Sequence, residues 1–171
     1  MICIRTLCCS ILDFFAATSC DLNINTCFDC ICGAVSNHNQ FGCGTNFTNP
    51  RGNCAPGCFL GPYQQTSKRC YCGPFHLSKQ YFRSCRRGPY KMEFSTMEQW
   101  PVCANDQLCS RTCMWNNMLR YRRRCARNVG ISPKQSTCYE YARIHRSYTD
   151  ECRNDWTEWF AKRVQRCCEA L

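Results

Sequence analysis

Cutting a glycosidic bond usually needs two carboxyl groups in different protonation states, and cutting an amide needs an activated nucleophile. This chain is unevenly supplied with the first. From Cys30 to Met92 it contains no Asp or Glu, so any carboxylate pair must draw on Asp29, Glu93, Glu98 or the acids of the C-terminal helices. Of those last, Glu151 and Asp155 read as surface charges or helix caps. Histidine occurs only at His38, His76 and His145. Cysteine is the dominant reactive type, 21 in 171 residues. Three histidines are too few for the compact Cys/His pairs of zinc sites. The thiols therefore read as disulfides, which persist only where the compartment is oxidising, and no metal or other cofactor is expected. Asn46-Phe47-Thr48 is an N-glycosylation sequon, usable on an exposed loop of a secreted protein.

The elements that must position these groups can be read along the chain. Met1–Arg5 supplies a positive start, Thr6–Ala17 an apolar stretch broken by Asp13, and Ala17-Thr18-Ser19 a small-residue cleavage pattern. Residues 1–19 thus read as a signal peptide, too short to span a bilayer, and 20–171 as one secreted domain. Cleavage after Ser19 leaves 18 cysteines, the 21 less Cys3, Cys8 and Cys9, and that even number favours it over cleavage after Cys20. Residues 46–70 are rich in Gly, Pro, Asn and Thr and read as a loop stapled by Cys54, Cys58 and Cys70. Beyond residue 103 the texture turns helical. Asn105 or Asp106 can cap a helix to about Tyr121, and Gly130, Ser132 and Pro133 break the chain. A second helix spans Cys138–His145. Asp155 can cap a third, in which Trp156, Trp159, Phe160, Val164 and Cys167 form a stripe expected to pack into the core.

Net charge is +10, with basic runs at Arg83–Arg87 and Arg120–Arg127. Such a field attracts polyanions. Aromatics lie among the basic residues at Tyr81, Phe82, Tyr90 and Tyr121, yet no nucleic-acid motif frames them. Bacterial envelopes and acidic glycans are the expected partners, without nucleic acid and without a membrane span.

Several segments resemble invertebrate-type (i-type) lysozymes, the family that includes leech destabilase. Cys27-Phe28-Asp29-Cys30-Ile31-Cys32 is similar to the family's opening C-x-x-C-I-C. Cys72-Gly73-Pro74-Phe75, with Tyr81 and Cys85 after it, follows C-G-P-F-Q-I-K-E-P-Y-W-x-D-C without a gap. Cys103, Cys109 and Cys113, then Met118, Arg120 and Tyr121, follow C-x5-C-x3-C…M-x-R-Y, and Cys138–His145 resembles C-x-x-Y-A-R-I-H. The register continues through Cys152, Thr157, Val164, Gln165 and Cys167. The likeness covers residues 27–167, with an insertion at 47–70. It implies an α+β, mainly helical, disulfide-rich lysozyme-like domain with a sugar-binding cleft. Cys27, Cys30, Cys32, Cys43, Cys72, Cys85, Cys103, Cys109, Cys113, Cys125, Cys138, Cys152 and Cys167 are its expected disulfide cysteines, in pairings the sequence leaves open.

The family's chemistry is where this chain departs from the resemblance. The general acid of C-I-C-x-x-E-S falls on Val35, and the aspartate of C-x-M-D falls on Asn46, or on Phe47 with a one-residue shift. None of these has a carboxyl group. For the isopeptidase activity of some members, the serine before C-G-P is Tyr71 and the lysine of Q-I-K is Ser78, with Lys79 beside it. His145 keeps its place in its motif, and the cysteine three residues past the acid has become His38. The resulting expectation is a non-catalytic protein holding wall glycan or anionic envelope through Tyr71, Phe75, His76, Tyr81 and His145. An active lysozyme or isopeptidase using relocated residues is the first alternative; a structural or reproductive secreted scaffold is the second.

Overall fold

A computed structural model describes residues 23–35, 54, 70–149 and 152–171. The leader, Cys43, Asn46 and most of the 47–70 insertion lie outside those residues.

Helix α1, Ile24–Val35, opens the described chain. Its cysteines are spaced so that Cys27 and Ile31, and Phe28 and Cys32, fall one above the other at i,i+4. All four are buried. The two-residue strands β1, Tyr71–Cys72, and β2, Leu77–Ser78, form a hairpin in which Tyr71 pairs with Ser78 and Cys72 with Leu77. Helix α2, Lys79–Cys85, follows at once, capped by Ser78, whose Oγ accepts from Tyr81 N at 3.1 Å.

Helix α3 covers Trp100–Asn105, and the indole of Trp100 donates to the Leu77 carbonyl at 2.8 Å, tying α3 to the hairpin. Gly73 lies against this junction at φ 72°, where an added Cβ would come within 1.8 Å of the Ala104 carbonyl oxygen. Only glycine fits both the left-handed backbone and the close approach.

Helix α4, Gln107–Val129, begins where Asp106 accepts from Cys109 N at 2.7 Å. It runs eight residues past the expected end at Tyr121 and stops at Gly130, whose φ of 79° is the left-handed cap. The Arg122–Arg124 run hid this extension because it carries no apolar rhythm, yet Cys125 and Ala126 behind it are buried. Within α4, Asn116 clamps the 88–90 turn, accepting from Tyr90 N at 2.9 Å and donating to Tyr90 O at 2.8 Å.

Helix α5, Cys138–Ser147, starts with a capping box in which Glu140 accepts from Thr137 N at 2.7 Å. Helix α6, Asp155–Glu169, follows, and Asn154 rather than Asp155 occupies its cap position. The core stripe expected on α6 needs correction. Phe160 and Val164 are buried, but Trp156 and Trp159 stand 46% and 52% exposed. The buried row is instead Thr157, Phe160, Ala161, Val164 and Cys168. The two indoles face outward, and Thr157 of the buried row faces α5. Arg143 of α5 seals the contact, with Nε donating to Thr157 Oγ1 at 3.0 Å and Nη2 to Asn154 O at 3.1 Å.

Disulfides join elements distant in sequence. Cys27–Cys138 ties α1 to α5, and Cys30–Cys167 ties α1 to α6 across 137 residues. Cys85–Cys113, Cys103–Cys109 and Cys125–Cys152 fasten α4 to its neighbours, and Cys54–Cys72 anchors the insertion to the hairpin. Cys32 and Cys70 are disulfide-bonded as well. The result is the small, mainly helical α+β domain the sequence implied. Among the described residues no helix is long and apolar enough to cross a membrane.

Candidate functional site

The hairpin, helix α2, the C-terminal end of α1 and the last turn of α5 carry the described residues singled out from sequence. Val35 closes α1, half-buried, and packs against the core. Its side chain has no proton to give. Across the hairpin turn His76 N donates to Gly73 O at 3.1 Å, and His76 itself adopts φ 50°. A left-handed non-glycine residue is uncommon and is held by its surroundings. Here the imidazole stacks on the Tyr71 ring with centroids 4.2 Å apart. Tyr71 is 36% exposed.

The other candidate rings lie inside. Phe75, Tyr81 and His145 are all buried in the core. His145 Nδ1 lies 3.2 Å from the Tyr81 hydroxyl. Its ring also packs near Phe160, and Tyr81 meets Tyr148 edge-on. Burial lowers His145 to a pKa of about 3, with the charges of His76 and Arg146 adding to the effect and a hydrogen bond to the Phe75 backbone opposing it. Burial likewise pushes the Tyr81 phenol up. Near neutral pH both groups are uncharged. This pair is a core hydrogen bond, closed to a sugar, and of the five expected glycan contacts only Tyr71 and His76 reach the surface. His76 is lowered to about 4, first by burial and then by Arg146.

The nucleophile and acid substitutes are engaged elsewhere. Ser78 spends its oxygen on capping α2. Asp29, on α1, is ion-paired with Arg111. Glu98 is held below the usual carboxylate range by local hydrogen bonds, its own backbone and the Thr96 side chain, with Lys79 and Arg86 adding. An acid so stabilised as the anion is a poor proton donor at neutral pH. Glu140 is a cap and Glu158 pairs with Lys162 at 2.7 Å. Glu93 borders a cavity of about 480 Å³ between the first turn of α1 and the start of α4. That cavity includes Phe28 in its wall, roughly 10 Å along the α1 axis from Val35. Two features went unread in the sequence: the exposed indoles of α6 and Arg146, which packs on one of them. Hydrophobicity alone could not reveal either.

Helices braced by disulfides around a short hairpin define a small lysozyme-like domain. The family model described as Destabilase matches residues 24–167. The chain belongs to the destabilase family. It is 29% identical over 97 residues to invertebrate-type lysozyme 3 of Caenorhabditis elegans, covering 57% of this chain and 66% of that protein. It is 34% identical over 94 residues to lysozyme 1 of Crassostrea virginica, covering 55% and 43%. Invertebrate-type lysozyme 2 of Caenorhabditis elegans is 30% identical over 97 residues, covering 57% and 66%. The chain thus spans less than two thirds of the length of each of these relatives.

Proposed function

We propose that this is a secreted, non-catalytic lysozyme-like protein that binds bacterial wall glycan or anionic envelope surfaces in a defensive role. The observation that carries the reading is Val35 at the end of α1, where the family resemblance places the proton donor. Without a donor to the leaving oxygen, conventional hydrolysis stalls at its first step. The engagement of Asp29 with Arg111 and of Glu140 with its cap supports the same conclusion, since a relocated acid must be free to change protonation state. Binding asks for less: an accessible surface, aromatic faces and hydrogen-bonding groups. The net charge of +10 adds attraction to an anionic envelope that weakens with salt. The dense disulfides support secretion, and residues 1–19 carry the pattern of the leader that would direct it.

The test is turbidity clearance of Gram-positive walls beside a pelleting assay, using oxidised protein lacking residues 1–19. The expected outcome is wall binding without clearing. A Val35→Glu, Asn46→Asp double variant that gains clearing would show the cleft otherwise intact. Clearing by the unaltered protein, with release of reducing sugar, would refute the reading and favour an active hydrolase using relocated acids. Neither binding nor clearing would favour a secreted structural scaffold.

A further inference from the structure

Trp156 and Trp159 of α6 leave about half their surface in water, unusual for the largest apolar side chain. Three residues apart on a helix, they lie on the same side one turn from each other. Trp159 is fixed in place. Phe160 meets it edge-on at 5.9 Å between centroids, and the Arg146 guanidinium lies 5.5 Å from its ring centroid. Arg146 belongs to the last turn of α5, and its Nε is buried with no hydrogen-bond acceptor. Among the described residues Arg146 has no carboxylate partner. A guanidinium without a carboxylate partner is free to take one from a ligand, in the charge-assisted geometry arginine favours.

Arg146, Trp159 and Trp156 therefore lie together along one side of α6. Flat aromatic faces there flank a group that binds anions. That suits a ligand whose own surface alternates C–H faces with hydroxyls and carboxylates. A bilayer is a poorer match. The residues around the indoles are charged with both signs, Asp155 and Glu158 against Arg153 and Lys162, so α6 offers no broad apolar face to insert.

We propose that this side of α6 is a binding subsite for the carboxylate-bearing sugars of wall peptidoglycan, with Arg146 receiving the carboxylate and Trp159 and Trp156 receiving sugar faces. The inference rests on the glycan-binding reading above and gives that reading a surface on α5 and α6.

The full chain in its secreted form is pelleted with purified peptidoglycan, with chitin (the same linkage without carboxylates) and with anionic phospholipid vesicles. Trp159→Ala and Arg146→Gln each weaken peptidoglycan binding about tenfold or more. Arg146→Gln leaves chitin binding unchanged, whereas Trp159→Ala weakens it as well. Trp156→Ala gives a smaller loss of the same kind. Unchanged melting temperatures separate these effects from unfolding. If the unaltered protein binds peptidoglycan and Trp159→Ala binds equally well, the subsite is refuted while the glycan-binding reading stands. If the unaltered protein binds neither glycan, both fall. Losses confined to vesicles would assign the indoles to lipid and overturn the proposal.

Discussion

His145 places its Nδ1 3.2 Å from the Tyr81 hydroxyl inside the core, while Arg146, next in the chain, packs against the half-open ring of Trp159. The two belong to the same last turn of α5, so the helix sends one inward and the other to the rim. By residue type the histidine is the better catalyst and the arginine the plainer surface charge. Their surroundings reverse that ranking. Burial holds the imidazole neutral and bonded to a phenol, leaving it nothing to exchange with solvent, whereas the guanidinium has no carboxylate partner among the described residues and lies beside exposed aromatic surface. Retention of a motif residue therefore says little about retained chemistry until its access to solvent is known.

Substitutions on the two sides should separate stability from binding. The largest effect is expected for His145→Ala, which removes a buried ring and its hydrogen bond to Tyr81 and costs about 2–4 kcal/mol in chemical denaturation. Arg146→Gln should cost well under that. Comparable losses would mean that the arginine, too, is part of the core.

Next in size is a dependence of stability on pH. The folded pKa values of His145 and His76, about 3 and about 4, lie below the ordinary histidine value near 6.5. As pH falls through that ordinary value the unfolded chain binds protons that the folded chain refuses, so stability declines toward the folded values. Above it their contribution is fully present. Thermal melts from neutral pH downward should show this decline, and it should flatten in a His145→Gln, His76→Gln variant that still folds. An unaltered slope would assign the loss to carboxylates.

The smallest effect sharpens the contrast from the outer side. Trp156→Ala should change stability by only about 0.5 kcal/mol, because its ring is half in water. A loss above about 2 kcal/mol would restore the indole to the core.

Much of the molecule was legible in its residues. The thiol density announced a disulfide scaffold, and the spacing of several motifs announced the family. Asn105 or Asp106 marked the start of α4 because a short polar side chain can satisfy the free N–H groups of a first turn, and Asp106 takes that place. These are local facts: they depend on residue type and on neighbours a few positions away. The pairing of Cys30 with Cys167 was not local, nor was the burial of His145 or the exposure of Trp159. Helical period tells which side chains share a face but not how the face is turned against its partner. On α6 Thr157 is turned inward, where Arg143 of α5 donates to it, and the two indoles are left facing water.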